Sequence, residues 1–315
     1  QDTVLTFAQT GVTALSRGMN AKLDAIGGDA TYFAANIGEF LSGFDLTHTS
    51  NEASFAANAP SAKGSMQICA RPAMIDTLTT IVIDIIELTG NHNQDCGDEA
   101  ALATIEQYQS LGIKTFGGGV SAVAAAEPLQ IAEKDTNATL LGYNLSTGGY
   151  TLDNTPGANF YTKEKAAADI AAAKARGDFI IVDIQYYECS AYASETEDPT
   201  CDRADSAAGD QVGFFRELID MGADIVVGTA AHQPQTYELY GDGVIYYGLG
   251  NLFFDQIWWP GTTRSLILAH YFYKGKLLQT RLIPTVYDEA MQVELMDTAA
   301  AEAFINRLNL VRPNN

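Results

Sequence analysis

Positive charge is what this chain has least of. Its 315 residues carry 18 Lys and Arg against 39 Asp and Glu, a formal net charge of -21. Such a surface repels nucleic acid and anionic membranes. It also requires a bound cation or a local basic patch before a polyanionic ligand can settle. Solubility in salty surroundings would explain the acidity without any ligand. Long apolar runs are missing too, and none approaches the roughly 20 residues of a membrane helix. Cysteine is scarce, with 4 in all, and no pair is spaced Cys-x-x-Cys as in common zinc signatures. The Gly117-Gly118-Gly119 triplet lacks the Lys-Ser/Thr that completes a P-loop, so it reads as a simple turn.

What is present fits an exported globular chain. The hydrophobic fraction of 47% is ample for a core. The length allows one large α/β domain or two small ones. No repeat or composition break marks a second domain, so 1–315 reads as one, with the hairpin and helix of 264–315 as an extension. The first residue is Gln1 rather than Met, as in a mature product whose export signal has been removed. Cys189 and Cys201 bracket an acidic loop, and Cys69 and Cys96 flank a strand. Two disulfides with that pairing agree with export, although four cysteines allow three connectivities, and free buried thiols are the alternative. Asn137-Ala-Thr and Asn144-Leu-Ser match the glycosylation sequon.

The stretch that organises the chain is Glu87-Leu-Thr-Gly-Asn-His-Asn-Gln-Asp-Cys-Gly97. The apolar run Ile81 to Ile86 before it reads as a buried strand, and Asp98 to Leu111 after it as a helix. Open α/β sheets place their ligands where a strand empties into such a loop. Other expected strands are Thr3 to Gln9, Phe44 to Ser50, Ile113 to Phe116, Phe179 to Ile184 and Ala223 to Val227. Hairpins are expected at 129–143, at 236–247 around Asp242-Gly243, and at 265–285 around Lys274-Gly275. Lys163 to Arg176 reads as a helix closed by Gly177. Strands and helices alternate early and hairpins come late, which predicts two layers of mixed sheet flanked by helices. Polar clusters recur after strands: Asn51-Glu52, Asn91-His92-Asp95, Gln185 with Glu188, His232 with Gln235, and Asn251 with Asp255. Convergence of these loops would build one cleft of the kind a metal-assisted phosphoester hydrolase requires.

Three stretches carry a family resemblance. Asn91-His92-x-x-Asp95-x-Gly97, the Pro234 turn after His232, and Tyr247-Gly-Leu-Gly-Asn-Leu-Phe-Phe-Asp255 resemble the CapA-type capsule-synthesis (poly-γ-glutamate) family, in the same order, from about Thr3 to Asp255. The resemblance implies the calcineurin-like metallophosphoesterase fold, a four-layer α-β-β-α sandwich of mixed α/β class with the site at strand ends. It implies a part in making, exporting or anchoring an anionic surface polymer. Against the family pattern, Val12 falls at a metal-ligand Asp when Arg17 is aligned. Ser50 stands where an Asn is usual, Gln185 lies nearest a His that leads to Glu188, and Gln235 replaces a second His. Losing an oxygen ligand and an imidazole weakens a dinuclear site. What is left is one divalent ion of the manganese, zinc or iron class, weakly held, or none.

Three functions follow. In the first, a metallophosphoesterase-type hydrolase uses His92 as general acid, with Glu52, Asn91 and His232 holding the metal. In the second, a metal-free hydrolase or binding protein takes an anionic or glycan surface polymer in a cleft of His92, Asp95, Glu188 and His232. Tyr186, Tyr187, Trp258 and Trp259 would line it, core packing being the alternative for the tyrosines. In the third, a surface-layer or filament subunit has kept the fold and self-associates, with Gln1 to Phe7 as the candidate donor strand. Arg17 is expected beside Glu52 or Asp95, and Gln185, Gln235, Asn251 and Asp255 at the cleft. The expected location is extracellular or on a bacterial cell surface.

Overall fold

Parallel strands buried on both faces need cover on both faces. Every residue of Leu46–Asn51 and Ile225–Gly228 is buried. The computed structural model, which describes residues 3–146, 148–186, 210–258 and 260–310, provides that cover with two facing sheets and an outer helical layer on each. The first sheet runs Glu294–Leu295, Lys276–Val286, Arg264–Tyr273, Val4–Thr13, Leu46–Asn51, Ile85–Glu87, Lys114–Phe116, and Asn251–Phe253 adds to the far end of Val4–Thr13. The second runs Tyr237–Tyr240, Gly243–Tyr246, Ile225–Gly228, Phe179–Gln185, Thr136–Asn144, Leu129–Glu133. Phe7, Leu46, Ile85, Leu140, Ile181, Val227 and Leu268 belong to the apolar core between the sheets. A second core packs Met19, Phe33, Met74 and Tyr108 over the first sheet, and a third packs Ile170, Phe215 and Leu218 over the second. This is the four-layer α-β-β-α sandwich.

Within each sheet the central strands are parallel. Their C-terminal ends therefore lie at one edge, where the polar loops leave. Several local expectations shift. The first strand does not stop at Gln9 but continues to Thr13. Gly11 permits this, because a Cβ there would sit 2.0 Å from the Gly250 carbonyl oxygen. Val12 N–H donates to that oxygen at 2.8 Å. Val4–Thr13 lies between Arg264–Tyr273 and Leu46–Asn51, so its described residues are an interior strand and not a donor arm. The apolar run before the central loop is mostly not strand. Only Ile85–Glu87 pairs, while Ile81 and Ile83 plug the outer core and Val82 turns outward at φ 52. In the 236–247 hairpin Tyr240 pairs with Gly243, which moves the turn to Gly241-Asp242, with Gly241 taking the positive φ of 55°. The Lys274-Gly275 turn is as expected, both residues having positive φ. Gly177 caps its helix in the left-handed region, and Thr162 caps the other end by accepting from Lys165 N–H.

Cys69 and Cys96 form a disulfide. It ties the short Cys69–Ala70 strand to the end of the central loop, and Asp95 adds to the tie by accepting from Ile68 N–H at 2.8 Å. Cys189 and Cys201 lie outside the described residues. The bridge spans a separation of 27 residues, and closing such a loop removes about 3 kcal/mol of denatured-state entropy. Cys69→Ser with Cys96→Ser is expected to lower unfolding stability by about that much, read as a fall in the urea midpoint.

Candidate functional site

Strand ends from both sheets meet at Gln185, the last residue of Phe179–Gln185. Its amide Nε2 donates to Glu52 Oε1 at 3.2 Å and to Asn91 Oδ1 at 2.9 Å. Its Oε1 accepts from Thr229 Oγ1 at 3.1 Å. Thr229 Oγ1 lies 3.3 Å from Thr89 Oγ1, and Thr89 O accepts from Asn144 Nδ2 at 2.7 Å. Five separate loops are thereby linked through side chains.

His232 stands on the other side of Glu52. Asn251 Nδ2 donates to Gln256 Oε1 and Thr262 O, so its Oδ1 is the acceptor that faces His232 Nδ1 at 2.9 Å. That bond places the proton on Nδ1 and turns Nε2 toward Glu52 Oε2, 4.0 Å away. Glu52 is fully buried, and its Oε2 has no hydrogen-bond partner. Phe254 packs against the His232 ring at 5.3 Å between centroids and against the Arg17 guanidinium at 4.4 Å. Arg17 is committed to Asp255, its Nε donating to Oδ1 at 3.1 Å, and Gly18 N–H donates to Oδ2 at 2.9 Å. The expected neighbours of Arg17, Glu52 and Asp95, are thus replaced by a buried carboxylate from the motif that ends at Asp255.

The structure brings Glu52, Asn91, Gln185, His232 and Asn251 together and joins Arg17 to Asp255 beside them. His92 and Asp95 form a separate, partly exposed pair, Nδ1 to Oδ2 at 2.8 Å. Asp95 also holds Ile68 N–H, so its carboxylate braces the loop that carries His92. Gln235 accepts from Gln211 Nε2 at 3.3 Å, under the Gln211–Met221 helix. Tyr186 is not in a groove: it is 3% exposed and packs on Phe214 and Phe215. Trp258 is 42% exposed, with its ring 5.9 Å from the Arg17 guanidinium. Tyr187, Glu188 and Trp259 lie outside the described residues. Asn144 is fully buried on Thr89, which closes its sequon in the folded chain.

Three contributors were missed: Thr89, Thr229 and Asn93. Thr89 and Thr229 lie inside the quoted loops, yet a threonine carries no signal of its own there. Asn93 Nδ2 donates to Asn51 O, and Asn51 Nδ2 donates to Asn93 Oδ1, so these two strap the second strand end to the central loop. Only the polar character of both loops pointed to them.

Among the described residues the donor set does not make a dinuclear metal centre. Val12, where the resemblance leads one to expect an Asp, is buried and apolar. The Gln185 amide supplies protons to Glu52 and Asn91 where a cation would supply charge. Among the described residues no three His, Cys, Asp or Glu side chains are grouped to hold a metal ion. Glu52 Oε2 and His232 Nε2 are two donors, fewer than the three protein ligands a catalytic zinc site keeps. They fit at most one weakly held ion.

The fold is of the metallophosphoesterase type, with its polar strand ends gathered at one edge. The family model for bacterial capsule synthesis protein PGA_cap matches residues 6–256, and the chain belongs to that family. The PGA biosynthesis protein CapA of Bacillus subtilis (strain 168) is 26% identical over 227 residues, covering 71% of this chain and 56% of the relative. The capsule biosynthesis protein CapA of Bacillus anthracis is 22% identical over 219 residues, covering 68% and 50%. The chain thus spans about half the length of these curated relatives. No helix among the described residues is long and apolar enough to cross a membrane.

Breaking a buried ion pair on one side leaves an uncompensated charge, at about 3–5 kcal/mol. Arg17 and Asp255 are 5% and 0% exposed. Arg17→Met is expected to destabilise the chain by that amount in urea unfolding, and the double change with Asp255→Leu to recover most of the loss.

Proposed function

We propose that this chain is an accessory protein of capsule-type polymer synthesis or anchoring at the bacterial cell surface. It engages an anionic polymer of the poly-γ-glutamate type at the cleft without two-metal phosphoester hydrolysis. The family membership and the names of the two Bacillus relatives support the polymer. The observation that carries the rest is the Gln185 amide donating to both Glu52 and Asn91. In a two-metal site those oxygens would face cations; here protein N–H groups occupy them.

Charge limits how such a polymer could be held. A chain with a net charge of -21 repels a polyanion unless a cation lies between them. If a divalent cation of the manganese, zinc or iron class enters, Glu52 and His232, with Asn91 beside them, are the residues that would hold it. It would supply positive charge to an anionic oxygen of the polymer. The chain's own contribution is orientation: Asn251 fixes the His232 tautomer, and Gln185 fixes the Glu52 carboxylate.

Purified protein is expected to contain well under one equivalent of metal by mass spectrometry. It is also expected to show no phosphodiester turnover with or without added manganese. Restoring donors through Val12→Asp with Gln185→His is expected to tighten manganese binding at least ~10-fold by titration calorimetry. Manganese-dependent turnover in the native chain, lost in His92→Ala, would establish the hydrolase instead. Poly-γ-glutamate binding in the calorimeter is expected only with millimolar divalent cation and is expected to weaken in Glu52→Gln. Failure of both the native chain and the variant to bind under any ionic condition would refute the polymer assignment.

A further inference from the structure

A second polar cluster lies away from the cleft, between the two sheets. Gln9, His48, Glu87, Asp183 and His270 are all 0–1% exposed. Gln9 Nε2 donates to Asp183 Oδ1 at 2.7 Å, and His48 Nε2 lies 3.1 Å from Asp183 Oδ2. Glu87 neighbours Ser50 on one side and Phe116 on the other in its sheet. The charged group that acts on Glu87 is Asp183 from the opposite sheet; His48, on the adjoining strand, pairs with Ile85 two residues before it. Behind them stand His270 and, at its ring edge, Tyr246. Gln9 and Phe116 bring no charge. Burial, then the charge of His48, pushes the His270 imidazole down to about 3 and keeps it neutral. The cluster therefore holds two carboxyl groups, with the His48 imidazole against one of them.

Glu87 also reaches the cleft. Its Oε1 accepts from Thr89 N–H at 2.5 Å, and Thr89 is the residue whose hydroxyl meets Thr229 and whose carbonyl holds Asn144. Its Oε2 has no hydrogen-bond partner, like Asp183 Oδ2. His48 stands beside Asp183, so a second carboxylate in this dry layer would have only the hydrogen bonds of Ser50 and Thr89 to set against its burial. We propose that Glu87 is a positioning residue of the cleft that works as the neutral acid, fixing Thr89 so that the Thr229–Gln185 chain clamps Glu52 and Asn91. Ionisation would set Glu87 against Asp183, and the relief nearest at hand is rotation of the Glu87–Thr89 strand end away from Thr229.

Burial first, and the Asp183 charge second, raise the Glu87 carboxyl from 4.5 to about 8. A raised carboxyl stabilises the folded cleft fully below its unfolded value. The contribution is lost as pH rises through the folded value and changes no further above it. The test is hydrogen exchange of the amides of 88–93 and 229–232 between pH 5 and 9, corrected for intrinsic rates, in the native chain and in Glu87→Gln. In the native chain the local opening constant is expected to rise about tenfold per pH unit and to level off near pH 8; in Glu87→Gln it is expected to be flat. A merely structural glutamate would change protection by the same factor at every pH. Equal slopes in both proteins, or a flat native profile, would overturn the proposal. If Glu87→Gln does not fold, the native profile decides alone, a flat one being the refutation. No polymer enters the experiment, so its failure is independent of the function proposed above.

Discussion

The Gln185 side chain is the constraint on which the cleft depends. A primary amide donates two protons and accepts at one oxygen. Here all three capacities go to different strand ends: Glu52, Asn91 and Thr229. Glu52 and Asn91 belong to the first sheet's loops, Gln185 and Thr229 to the second's. The amide is therefore a cross-link between sheets at the edge where their apolar core gives out. Farther in, contact among Phe7, Leu140, Ile181 and Leu268 holds the layers together, and no polar group is needed for it.

The polar atoms between the layers follow another logic. Gln9 donates to Asp183 across the gap, His48 Nε2 lies 3.1 Å from Asp183 Oδ2 without a hydrogen bond, and His270 reaches both Gln9 Oε1 and Thr280 Oγ1. Buried polar groups cost stability when left unmade, so such a row persists only where its members satisfy one another. Two of its carboxyl oxygens, on Glu87 and Asp183, do not find hydrogen-bond partners. The Glu87 part of that shortfall lies on the strand leading into the central loop, the Asp183 part on Phe179–Gln185 of the facing sheet. The core's least satisfied point and the cleft's brace thus share the short segment from Glu87 to Thr89.

Much of this was legible in the sequence, and the failures have physical causes. Period-two and apolar runs located most strands, and the turn at Lys274-Gly275 and the cap at Gly177 followed from backbone sterics. The run at Ile81 misled because burial against helices and burial in a sheet leave the same apolar signature. Val82 breaks the strand with a positive φ that a β-branched residue rarely adopts. The loops of the cleft were found because His, Asn and Gln cluster there. Their pairing was not, since Arg17 and Asp255 lie 238 residues apart and nothing local favours Asp255 over Glu52 or Asp95. The interlayer cluster left no trace, because His48 and Asp183 sit singly inside strands where one polar residue reads as an outward-facing position. Only the register of two sheets brings them together.

The donors and acceptors at the cleft make sense as a set. A two-metal centre is a ring of acceptors, carboxylates and imidazoles, balanced by cation charge. Val12 brings no anion to such a ring. A glutamine at 185 is both donor and acceptor, and it supplies from the protein the protons that Glu52 and Asn91 would otherwise need a cation to replace. Thr89 and Thr229 extend the same alternation, each hydroxyl passing one hydrogen bond along. The ring becomes a self-satisfied chain except at Glu52 Oε2. That oxygen is buried, faces His232 Nε2 at 4.0 Å and has no hydrogen-bond donor. A group that reached that point would meet a carboxyl oxygen set beside an imidazole nitrogen.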